Sequence, residues 1–95
     1  MISIENFKNN LGVRHLHKGR YYRLLGSSGS SYIFKFGEIN NDTVMPIGEY
    51  IVIGNCSSVI RKIFDGRTGI SPKHYIVSLR KANRDEIYNL RFGNV

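Results

Sequence analysis

The stretch KGRYYRLLGSSGSSYIFKF, residues 18–36, constrains the fold more than any other part of the chain. Residues 21–25 are dense in aromatic and large apolar side chains. In residues 31–39, Tyr32, Phe34 and Phe36 alternate with Ile33, Lys35 and Gly37, the period that sends successive side chains to opposite faces of a strand. Between these runs, residues 26–30 supply the permissive glycine and serine backbone that a reversal needs. Such a segment specifies an antiparallel β-hairpin.

The remaining segments extend that sheet. NND, residues 40–42, is a second turn signal, and EYIVIG, residues 49–54, is a β-branched run ending at glycine. Both faces of that run are apolar, which places it inside the sheet rather than at its rim. Pro46 precedes it, where a missing amide donor costs least. In SSVIRKIFDG, Val59, Ile60, Ile63 and Phe64 also suit a helical face, but the β-branched content and the following Asp65-Gly66 pair favour a strand ending in a turn. HYIVSL, residues 74–79, predicts another strand with Tyr75, Val77 and Leu79 on one face.

Helices are expected at both ends. Ser3 can cap a short amphipathic helix with Glu5 in its first turn, Ile4, Phe7 and Leu11 inward, and Gly12 at its end. Near the carboxyl end, Asn83 and Glu86 have capping-box spacing, and Ile87, Leu90 and the stem of Arg91 are expected to face the sheet. The chain has no internal repeat and no low-complexity linker, so its 95 residues predict a single small basic domain, 1–95.

Several function classes are disfavoured by what the residues lack. GSSGSS is followed by a strand rather than by the Lys and Ser or Thr and helix of a phosphate loop. His15 and His17 have no further ligands in a metal-site pattern, and Cys56 has no recognisable base, so it is expected to be a packing thiol. The carboxylates are scattered, apart from Asp85 and Glu86 at a helix start. The expectation is therefore no enzyme, no cofactor and no metal. A lone cysteine forms no internal disulfide, no secretory signal or apolar span is evident, and a cytoplasmic location without membrane contact is expected.

Positive charge is what remains. Lys and Arg number 14 against 7 Asp and Glu, giving +7. Arg14, Lys18, Arg20, Arg23 and Lys35 lie near Tyr21, Tyr22 and Tyr32, and Arg61, Lys62, Arg67 and Lys73 follow later. Cations neutralise phosphates and exposed aromatic rings stack on unpaired bases, so the pattern suits single-stranded DNA or RNA better than a duplex groove. The same tyrosines also suit a core. On this reading the exposed side of the hairpin carries a footprint of Arg20, Arg23 and Lys35, while Phe34 and Phe36 serve the fold.

Residues KGRYYRLLGSSGSSYIFKFGEI resemble the opening of small phage and mobile-element β-barrel proteins, and LRKANRDEIYNL is similar to their closing strand and capped helix, with Asn83 and Glu86 at the matching positions. The resemblance implies a compact barrel and carries no functional residue across. MPIGEYIVIGNCSSV resembles half of a target-recognition domain of type I restriction specificity subunits.

The fold expected is mainly β: a small curved antiparallel sheet or barrel of about five strands, with short amino- and carboxyl-terminal helices. Two functions of different class are expected to compete. One is a non-enzymatic nucleic-acid-binding module. The other is a small viral or phage regulator or inhibitor acting in the host cytoplasm, which docks on an acidic or nucleic-acid-binding face of a host protein or nucleoprotein complex. Arg14, Lys18, Arg20, Arg23, Lys35, Arg61, Lys62, Arg67 and Lys73 are the candidate contacts for either.

Overall fold

The structure is a computed structural model and describes residues 16–40, 43–56, 58–70 and 76–93. The helix expected over residues 3–12, together with Arg14, His15, Lys73, His74 and Tyr75, lies outside the described residues. The chain forms β1 (Tyr21–Gly26), β2 (Ser31–Asn40), β3 (Thr43–Pro46), β4 (Glu49–Ile53), β5 (Val59–Ile63), β6 (Ile76–Lys81) and a carboxyl-terminal helix α1 (Arg84–Phe92). The strands make one mostly antiparallel, curved and open sheet in the order β5-β4-β2-β1-β6, with β3 paired to the far half of β2.

The opening hairpin is present, with Tyr21 opposite Lys35 and Leu25 opposite Ser31. Gly29, at φ 90, makes its turn. A sixth strand joins the expected set because β2 is long enough to pair twice on one side. Its first residues pair with β4, and beyond a register shift between Phe36 and Glu38 it pairs with β3. Gly37 sits at that shift, where a Cβ would stand 2.5 Å from the Met45 carbonyl oxygen. Only glycine admits so close an approach of two backbones. Pro46 therefore ends one strand instead of merely preceding another.

Strict alternation splits the sheet into two apolar faces. Tyr22, Leu24, Phe34, Phe36, Val44, Tyr50, Ile70 and Ile76 form the main core on one face. Ile33 and Ile51 point the other way and meet Leu90 of α1. The two-sided apolar character of β4 is thus used in full, with Tyr50 in one cluster and Ile51 in the other.

The structure corrects a local expectation in β6. Val77 does not share the inner face with Leu79: it is 47% exposed, and Ile76 is buried instead. A bulge opposite Leu25 and Gly26 skips one residue, which turns Ile76 to the face it would otherwise leave to Val77. After β5 the chain bends at Asp65-Gly66, the turn expected there. The Asp65 carboxylate accepts hydrogen bonds from the amides of Arg67 and Thr68, and the loop leads to Ile70, which bridges Val44. Those amide bonds, from Thr68 first and then Arg67, hold the Asp65 carboxyl below its ordinary range. No helix among the described residues is long and apolar enough to cross a membrane.

Candidate nucleic-acid interface

The outer face of the hairpin, expected to be open, is where α1 docks. The helix begins at Asn83, whose side chain accepts from the Glu86 amide while the Glu86 carboxylate accepts from the Asn83 amide, the reciprocal cap anticipated from the spacing. Leu90, a turn further on, is 3% exposed against Ile33 and Ile51. The two ends of the helix are then tied down by arginines from the sheet.

At the first end, Arg23 of β1 donates to Glu86 at 2.8 Å. Arg80 of β6, the cross-strand neighbour of Arg23, donates to both Glu86 oxygens at 2.9 and 3.1 Å. Burial alone pushes the Glu86 carboxyl up, but the hydrogen bonds from Arg80, the Asn83 amide and Arg23 outweigh it and hold the group at about 2. At the second end, Arg61 of β5 donates to the carbonyls of Leu90, Asn89 and Gly93 at 2.6, 2.7 and 2.9 Å and to Glu49 at 3.0 Å. A guanidinium against the last carbonyls of a helix satisfies acceptors with no partner inside the helix and meets the negative end of its dipole.

These contacts sort the candidate cations. Arg23 and Arg61 hold α1 to the sheet. Lys35 is half-buried with its ammonium 5.9 Å from the Tyr21 ring centre, in a depression shared with Ile47, Glu49, Leu90 and Arg91. Lys18, Arg20, Lys62 and Arg67 are exposed. Arg14 and Lys73 fall outside the described residues. The tyrosines sort in the same way: Tyr22 is buried against Phe34 and Phe36, Tyr32 packs on the main core, and Tyr21 lies half-buried beneath Lys35. Cys56, expected to be a packing thiol, is exposed in the turn after β4.

The exposed aromatic rings lie elsewhere. Tyr88 and Phe92 of α1 are 62% and 63% exposed, with ring centres 5.4 Å apart. The Arg91 guanidinium stands 5.1 Å from the Phe92 ring centre. At 100° per residue, Arg84, Tyr88 and Phe92 fall in a sector of about 80° on the side of α1 away from Leu90, and Arg91 flanks that sector on the side of the depression it shares with Lys35 and Leu90. Neither Arg84 nor Arg91 has an acidic partner among the described residues. This stripe was missed in the hairpin-centred reading. Its signal is in the sequence, since Arg84, Tyr88 and Phe92 recur every fourth residue opposite the capped apolar face.

The stripe is continuous with a basic rim of the sheet. Lys81 pairs across from Tyr22, and the Ala82 amide bonds the Tyr21 carbonyl, so the end of β6 and the start of α1 lie beside the start of β1. Arg20 and Lys18 precede β1 there, with Lys35 one strand further across. Two acids that would offset this charge are already engaged, Glu86 by Arg23 and Arg80 and Glu49 by Arg61. Fold and surface together define a small curved antiparallel sheet that carries a basic, aromatic helix on the face opposite its main core. No family model matches the chain, and neither a curated protein nor a solved structure does.

Proposed function

We propose that the chain is a non-enzymatic binding module for single-stranded DNA or RNA, and that its contact surface is the outer stripe of α1 together with the adjoining rim of the sheet. The observation that carries this reading is the pair Tyr88 and Phe92, two exposed neighbouring rings flanked by Arg84 and Arg91. Exposed rings next to guanidinium groups can stack on successive bases while the cations meet the phosphates. Lys81, Arg20 and Lys18 extend the positive surface along which a strand can run. Lys62 and Arg67 lie on other segments and add general attraction.

The test is titration of fluorescently labelled mixed-sequence DNA and RNA oligonucleotides, read by anisotropy at several salt concentrations. The reading requires binding that weakens with salt, as counterion release dictates, and that is lost in a Tyr88→Ala, Phe92→Ala double variant. A chain that binds no single strand at low salt removes this reading. A small regulator docking on an acidic protein face would use the same cations, and partner capture that survives nuclease treatment would identify it.

A further inference from the structure

The two edges of the sheet are built differently. On β6 a bulge interrupts the ladder, and Arg80 and Lys81 bring charge to the rim, both common devices against strand addition. β5 has no bulge along its pairing with β4, and although it carries Arg61 and Lys62, Arg61 is turned onto the end of α1, while Val59, Ile60 and Ile63 are 42%, 51% and 71% exposed. No described strand pairs with its outer side.

The ladder fixes which backbone groups point outward. The amides of Gly54 and Phe64 bond the carbonyls of Ser58 and Gly48, so the hydrogen-bonded pairs fall at Ser58, Ile60, Lys62 and Phe64. The amides and carbonyls of Val59, Arg61 and Ile63 therefore face away from the sheet. Their side chains share the face that carries α1, since Val59 and Arg61 lie opposite Ile53 and Ile51, while Ile60 and Lys62 lie on the core side.

We infer that β5 pairs antiparallel with β5 of a second copy of this chain, about a two-fold axis through Arg61. The occupant is argued from the strand's self-complementarity. In this register Arg61 faces its own equivalent, Val59 faces Ile63 of the second copy, and Ile60 faces the aliphatic stem of Lys62. The outward groups of residues 59, 61 and 63 then all meet partners. Two facing arginines would ordinarily repel. Each Arg61 guanidinium is, however, turned onto the carbonyls at its own helix end and onto Glu49, leaving its charge compensated within its own copy. Moving the axis to Lys62 would oppose two exposed ammonium groups. Moving it to Ile60 would carry Ile63, the most exposed of the three aliphatic side chains, past the end of the paired strand.

Such a pair continues the sheet through both copies and keeps both helices on one face, with their Arg61-bound ends next to the axis. The inference does not depend on nucleic-acid binding.

Sedimentation of the full chain over a wide concentration range tests it, without any oligonucleotide present. The expected result is a monomer–dimer equilibrium that Ile63→Lys shifts to monomer, raising the dissociation constant by about tenfold or more, with an unchanged far-ultraviolet circular dichroism spectrum. The register has its own test. In a Cys56→Ser background, Val59→Cys combined with Ile63→Cys should form a disulfide-linked dimer on mild oxidation, whereas Val59→Cys alone should not, because the two copies of residue 59 are far apart. A chain that stays monomeric at every concentration overturns the inference, whether β5 is then covered by another segment of the chain or by nothing. A dimer indifferent to Ile63→Lys, or one that cross-links equally through Val59→Cys alone, overturns it as well.

Discussion

Arg23 and Glu86, separated by 63 positions in the chain, meet at 2.8 Å on the face of the sheet that carries α1. The same carboxylate accepts from Arg80 and from the Asn83 amide, so one buried acid joins β1, β6 and the first turn of α1. Glu86→Ala should remove all of these bonds and leave two arginines without their acid. The expected loss is about 2–3 kcal/mol in urea denaturation, and Glu86→Gln should keep part of the cap and cost less.

Acid should release this tie. The Glu86 carboxyl is depressed from 4.5 to about 2 in the folded chain. A depressed carboxylate contributes fully above its unfolded value and loses that contribution as pH falls toward the folded one, so the stability curve should drop between about pH 5 and pH 2. The contribution is at most about 3 kcal/mol, from 1.36 kcal/mol per unit. Denaturant midpoints against pH should show this fall in the parent chain and a flatter curve in Glu86→Gln.

Arg61→Lys should fail to replace Arg61. A guanidinium reaches three carbonyls and Glu49 at once, whereas an ammonium is a compact donor on a flexible stem. Both Arg61→Lys and Arg61→Ala should destabilise by about 1–3 kcal/mol. Amide exchange in the last turn of α1 should rise in both, while Arg67→Ala, at an exposed loop position, changes neither stability nor exchange.

Core and surface aromatics should separate cleanly. Phe34 is fully buried, and Phe34→Ala should cost about 3–5 kcal/mol. Tyr88→Ala and Phe92→Ala should each shift stability by no more than about 0.5 kcal/mol. Under the proposed function each should weaken oligonucleotide binding by about 1–3 kcal/mol in anisotropy titrations.

Charge reversal on the helix should change the salt dependence. Arg84→Glu combined with Arg91→Glu should lower affinity at low salt and make the plot of log affinity against log salt shallower, because fewer counterions are released. Lys62→Glu combined with Arg67→Glu, which makes the same change in net charge at exposed positions off the helix, should lower affinity less. Equal effects from the two would mean that only net charge matters and that the stripe is not a site.

The hairpin, the strand character of residues 59–63, the two-faced strand β4 and the capped terminal helix were all legible in the residues. Each rests on local physics: a two-residue period, a permissive turn, or a side chain within reach of an amide three residues away. Which apolar and charged groups would be covered was not local. Arg23 and Lys35 have the same alternation whether their face is open or roofed by a helix, and only the docking of Leu90 on Ile33 and Ile51 decided that it is roofed. The bulge that buries Ile76 and exposes Val77 depends on the partner strand, and the bend at Gly37 on the nearness of Met45, so neither follows from one strand's pattern alone. Tertiary structure likewise reassigned the charge. Arg61 and Arg23 became ties for α1, and the exposed aromatics moved from the hairpin to Tyr88 and Phe92, because burial is settled by contacts among residues far apart in the chain.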